Sequence, residues 1–89
     1  MSTHFQNIED KLLSLIASVN SEFSKDENQE VYEFIDAGEY GLALEALVEI
    51  IIEENKKIAQ PSMTLILELA DLMELNRLAF SEKLSSRLL

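Results

Sequence analysis

Tyr40-Gly41-Leu42-Ala43-Leu44-Glu45-Ala46-Leu47-Val48-Glu49-Ile50-Ile51-Ile52-Glu53-Glu54-Asn55 is the stretch whose reading decides the fold. Its β-branched run Ile50-Ile51-Ile52 suits a strand. The glutamates at 45, 49 and 53, however, recur every fourth residue and so line one narrow strip of a helix. At 100° per residue the apolar positions 43, 44, 46, 47, 48, 50, 51 and 52 cover well over half of the circumference. A helix this apolar is packed on several sides, so 40–55 is read as the central helix. Lys56 and Lys57 follow where positive charge complements a helix C-terminus.

Working outward, Gly38 is placed to close a preceding helix in the left-handed conformation. That second helix opens at Ser24-Lys25-Asp26-Glu27, a capping box in which Ser and Glu each satisfy an orphan amide. It runs to about Ala37 with Val31, Phe34 and Ile35 inward. Residues 3–19 carry Phe5, Ile8, Leu12, Leu15, Ile16 and Val19 at spacings of three and four, one amphipathic stripe with Leu13 on its shoulder. Asn20-Ser21 end it. Downstream, Pro61 suits the first turn of a fourth helix. That helix extends to about Leu75 and buries Leu65, Ile66, Leu69, Ala70, Leu72 and Met73, with Asn76 as its stop. A last short segment, 78–88, spaces Phe80, Leu84 and Leu88 by four. The expected class is all-α: one domain, residues 1–89, built as a compact antiparallel bundle of four helices, or five if the last segment folds. The scarcity of punctuation, two Gly and one Pro, agrees with few long helices.

Charge and missing chemistry narrow the function. Net charge is −10, and residues 22–54 hold eleven acids against Lys25 alone; the remainder balances at six acids and six bases. Such a field repels nucleic acid and anionic membrane, and it attracts a basic protein surface over about 8–10 Å. The chain has no cysteine and one histidine, His4, near a terminus that usually frays. No triad, thiolate zinc site, phosphate loop or Glu-x-x-His pair is present, so an enzyme is not expected. Glu45, Glu49 and Glu53 have the oxygens for a hard cation, but the reading favoured is a solvated stripe, with no metal and no cofactor. The first ten residues lack a secretory pattern and no apolar run approaches the roughly 18 residues of a membrane span. The expected location is the cytoplasm, with no membrane partner.

On the second helix Asp26, Glu30, Glu33 and Asp36 occupy the arc opposite the apolar face. Tyr32 borders them as a semi-exposed aromatic of the kind that anchors interfaces. Tyr40 follows the Gly38-Glu39 turn and is read as a brace for the helix junction. The turn Ala37-Gly38-Glu39-Tyr40-Gly41-Leu42-Ala43-Leu44-Glu45-Ala46-Leu47 resembles half of a tetratricopeptide unit, without the repeat at about 34 residues that a solenoid requires. Over residues 31–75, about half of the chain, a longer pattern is similar to the small helical immunity proteins of bacterial Maf-type and contact-dependent growth inhibition systems. It runs from Val31-Tyr32-Glu33-Phe34-Ile35-Asp36 through the Gly-Glu-Tyr-Gly-Leu-Ala-Leu-Glu turn and Pro61 to Leu69-Ala70-Asp71-Leu72-Met73-Glu74-Leu75.

That resemblance implies neutralisation of a cognate toxin domain, often a nuclease, by direct binding. The charge argument, made independently, points to a partner with a basic surface. The expected partner-binding residues, chosen from charge and geometry, are Asp26, Glu30, Glu33, Asp36, Glu39, Glu45 and Glu49, with Tyr32 as the apolar anchor. The alternative is a helical adaptor or regulatory subunit that binds a non-toxin protein. A weak homo-oligomer, burying the apolar third helix across a symmetry axis, is the structural alternative.

Overall fold

The computed structural model describes residues 3–89; Met1 and Ser2, the start of the segment read above as lacking a secretory signal, lie outside the described residues. Five α-helices follow in order: α1 Thr3–Val19, α2 Lys25–Asp36, α3 Tyr40–Glu53, α4 Gln60–Leu72 and α5 Arg77–Leu84. Single 3-10 turns at Asn20–Glu22 and Ser85–Arg87 follow α1 and α5. None of the helices is long and apolar enough to cross a membrane. The class is all-α, as the periodicities predict.

The helices pair as α2 on α3, α4 on α5, and α1 on α4, with α3 also touching α1 and α5. One core joins them, from Ile8, Leu12, Leu15, Ile16 and Val19 of α1 to Phe80 and Leu84 of α5. The central helix buries Ala43, Leu44, Leu47, Val48, Ile50 and Ile51. Where α1 crosses α4, buried Ser62 meets Ser18 hydroxyl to hydroxyl at 2.8 Å, while Ser18 donates to the Leu15 carbonyl at 2.7 Å. Ser18 has one proton, so Ser62 is the donor between the two, and both hydroxyls are satisfied.

Three successive helices stop by the same backbone device. After α2, Gly38 turns left-handed (φ 76°), its N–H bonds Ile35 O at 2.9 Å, and Glu39 N–H bonds Phe34 O at 2.9 Å. This is the Schellman pattern expected of Gly38. After α3 the left-handed residue is Asn55 (φ 54°), with Lys56 N–H to Ile51 O at 2.8 Å; after α4 it is Glu74 (φ 57°), with Leu75 N–H to Ala70 O at 2.8 Å. The fourth helix therefore ends at Leu72, not Leu75, and Asn76 is no stop. Its side chain accepts the Ala79 N–H at 3.0 Å and caps the start of α5.

Three apolar expectations are corrected. Leu88 does not continue the Phe80–Leu84 row, because the chain leaves α5 at Leu84, makes the 3-10 turn Ser85–Arg87 and is extended at Leu88. Its backbone instead pairs with the link between α3 and α4: Ile58 N–H bonds Arg87 O at 2.8 Å and Leu89 N–H bonds Ile58 O at 2.9 Å. Polar backbone groups around buried Ile58 need partners, and the tail supplies them. Phe5, first of the α1 stripe, is 58% exposed. It borders a depression of about 320 Å³ beside Gly38 and Gly41, which have no side chains to close over it. Phe34, Leu65, Leu72 and Met73 are half-buried at the edge of the core.

The two glycines should respond to alanine with opposite signs. A Cβ at either position meets nothing within 4 Å, so only backbone preference is at stake. Gly38→Ala forces an L-residue into the left-handed region and should cost about 1–2 kcal/mol. Gly41→Ala, in the first turn of α3, should stabilise by up to about 1 kcal/mol. Urea midpoints of the two variants check both signs.

Candidate partner-binding surface

The surface is organised by the start of α2 and the end of α3. Ser24 N–H donates to Glu27 Oε1 at 2.8 Å and Glu27 N–H donates to Ser24 Oγ at 3.1 Å, so the predicted capping box forms in full. Lys56, just past α3, places its Nζ 3.1 Å from Glu27 Oε1, donates to the Glu22 carbonyl at 2.6 Å, and stands 5.4 Å over the Phe23 ring. One lysine thus ties the end of the central helix to the entry of α2. The Ser24 amide first, and Lys56 after it, hold the Glu27 carboxyl below the usual carboxylate range against the opposing effect of desolvation. At the other end of α3, the Tyr40 hydroxyl donates to Glu9 Oε1 of α1 at 2.6 Å, which raises the phenol above its ordinary value. Tyr40, expected to brace the junction after the Gly38-Glu39 turn, ties the start of α3 to α1.

Between these ties a groove of about 390 Å³ runs along α2 and α3. Along α3, Glu45, Glu49 and Glu53 form one row, and Leu42, Ala46 and Ile50 form the row beside it. Glu27, Glu30 and Phe34 face them from α2, and Glu54 stands at the end. The result is an apolar floor (Phe34, Leu42, Ala46, Ile50) edged by six carboxylates. Among the described residues only Glu27 of the six has an ion-pair partner. Leu42 is 45% exposed, although the central-helix reading packs this helix on several sides. Glu45 and Glu49 are also shared with a second groove, of about 310 Å³, on the α5 side, where Val48, Leu75, Ala79, Phe80 and Lys83 join them.

Of the residues expected at the site, the structure brings Glu30, Glu45 and Glu49 together. Asp26, Glu33, Asp36 and Glu39 are exposed but do not line the groove. Tyr32, 38% exposed, is semi-exposed as expected, yet it lines a different depression with Asn20, Phe23, Lys25, Asn28 and Gln29. Glu27, Glu53 and Glu54 join the groove without having been singled out for it. The signal for Glu53 was present in the four-residue row, and Leu42-Ala46-Ile50 repeats the same spacing one step round the helix. His4 is exposed and packs edge-on against Phe5, with ring centres 5.8 Å apart. No group of three His, Asp or Glu among the described residues is arranged to hold a metal ion. No protein-family model matches the chain, and neither does any curated protein or solved structure.

Two outcomes follow from this geometry. Glu49→Lys replaces two like-charge contacts at i±4 by attractive ones and should raise stability by about 0.5 kcal/mol at low salt, the gain fading as salt increases. Glu27→Gln retains the capping hydrogen bonds but not the charge facing Lys56. Because Glu27 is lowered on folding, its charge contributes fully above its unfolded value near 4.5, and that contribution is lost as pH falls through the lower folded value. The stability gap between wild type and Glu27→Gln should therefore be fully open at neutral pH and narrow only as pH falls below the unfolded value near 4.5, as read by denaturant titrations at a series of pH values.

Proposed function

We propose that this chain is a non-catalytic binding protein that neutralises a toxin domain by covering its basic surface with the acidic α2–α3 face. The observation that carries the reading is the groove itself, where five of six carboxylates around an apolar floor have no ion-pair partner among the described residues. Exposed acids of this density destabilise their own helices by a few tenths of a kcal/mol per pair. A cationic partner turns that cost into attraction, speeding capture and selecting against uncharged or acidic surfaces. A nuclease toxin needs a basic surface to hold its substrate, so an acidic protein seated there competes for the same Lys and Arg side chains. The similarity of residues 31–75 to the small immunity proteins supports the same assignment.

The decisive test combines capture with growth. The protein is used as bait in extracts of the organism that encodes it, and the recovered partner is expressed with and without it. The expected partner is a basic C-terminal domain of a large secreted protein whose expression arrests growth and whose co-expression with the bait restores it. Glu30→Lys combined with Glu49→Lys should slow association by about tenfold or more at low salt while leaving the fold intact. Growth arrest that the bait does not relieve, or binding indifferent to the double reversal, would sink the reading.

A further inference from the structure

We infer that the occupant of the α2–α3 groove is a basic amphipathic helix, laid lengthwise along α3 with an apolar side chain over Ala46 and Lys or Arg on both flanks. This rests on the acidic face being the partner site and adds which kind of segment enters it. The floor is the starting point. Leu42, Ala46 and Ile50 lie one turn apart along α3, and Phe34 faces them from α2. Purely ionic pairing at the lips would leave Leu42, already 45% exposed, in water. A partner that also carries apolar surface removes it, at roughly 25 cal/mol per Å² covered.

The shape of the floor selects the form of that surface. Ala46, half-buried between Leu42 and Ile50, has the shortest side chain of the floor and so forms its notch. A Leu, Ile or Met knob fits such a hole in helix-on-helix packing. Both walls are helices whose backbone groups are spent on their own hydrogen bonds. An extended peptide therefore finds no row of free N–H and C=O groups to pair with, and recognition falls to side chains. Charge sets the flanks. Glu45, Glu49 and Glu53 recur every fourth residue along one lip, the spacing at which a helix presents successive Lys or Arg side chains on one face, and Glu30 stands across the floor. From Leu42 to Glu53 the groove follows roughly 16 Å of helix, enough for about three turns of a partner.

The test uses a fluorescent peptide of about 18 residues, long enough to form helix on binding. It places leucine at every third or fourth position and lysine or arginine on either side. Its control is an isomer of the same composition shuffled to abolish the apolar face. Anisotropy titrations of the intact protein should show the amphipathic peptide binding about tenfold or more tighter than its isomer, with a gain in peptide helicity by circular dichroism. Ala46→Leu fills the notch without changing charge and should weaken binding by about tenfold. Leu42→Ser, a change at a surface leucine, should weaken it as well and serves if Ala46→Leu does not fold. Equal binding of the two isomers, or wild-type binding by both variants, overturns the helix assignment. If neither peptide binds while the growth-arresting partner is still captured through Glu30 and Glu49, the helix inference falls alone. If that capture is absent too, the functional reading falls with it.

Discussion

Two helices that carry eight carboxylates and one lysine, α2 and α3, lie side by side, and the remainder of the molecule depends on their staying there. Repulsion between exposed carboxylates costs a few tenths of a kcal/mol per close pair. Each large apolar side chain buried between the helices and the core returns about 1.5–3 kcal/mol. Val31, Ile35, Leu44, Leu47, Val48 and Ile51 are all buried, so the apolar contact prevails by a wide margin. Lys56 adds direction to that non-directional force. By bonding Glu27 and the Glu22 carbonyl it sets where α2 begins relative to where α3 ends.

Helix termination is the second organising element. The left-handed residues Gly38, Asn55 and Glu74 close α2, α3 and α4, and each stop reverses or redirects the chain within a few residues. Gly is free to adopt this geometry, and Asn tolerates it. Glu carries a steric penalty that the paired bonds of Glu74 to Asp71 and Leu75 to Ala70 offset. The link after Asn55 is held a second time by the C-terminal tail. Arg87 donates to the Asn55 side chain, Lys57 donates to the Ser86 carbonyl, and Ile58 pairs with the backbone around Leu88. The end of the chain is thereby part of the structure that supports the acidic face.

A groove with an apolar floor and acidic edges of which, among the described residues, only Glu27 is ion-paired is not a minimum-energy surface for an isolated domain. The carboxylates would be better separated, and Leu42 better covered. Several bases elsewhere on the chain are committed to other contacts, as in Lys11 with Glu68 and Arg77 with Asp71. The excess charge is therefore concentrated on one hairpin rather than neutralised within the fold. A surface kept in this condition is suited to a partner of opposite charge, the basis of the binding function proposed above.

Much of this was legible in the amino-acid sequence because the causes are local. The apolar periodicities of α1 and α3, the Ser24–Glu27 box, the Gly38 stop and the Pro61 start depend on residues within a turn or two of one another, and apart from exposed Phe5 at the start of the α1 stripe each appears where the pattern places it. The concentration of charge in residues 22–54 is likewise a property of the chain alone. What only the tertiary structure decided are matters of pairing between distant segments. Seven exposed acids are equivalent in the sequence, but the packing of α2 on α3 brings Glu30, Glu45 and Glu49 to one groove with Glu27, Glu53 and Glu54, and leaves Asp26, Glu33, Asp36 and Glu39 outside it. Tyr32 sits on a different side of α2 from that groove, and Leu88 leaves its helix because Ile58, thirty residues earlier, offers its backbone a partner. Helical period determines which face a residue occupies; which faces meet is determined by burial across the whole chain.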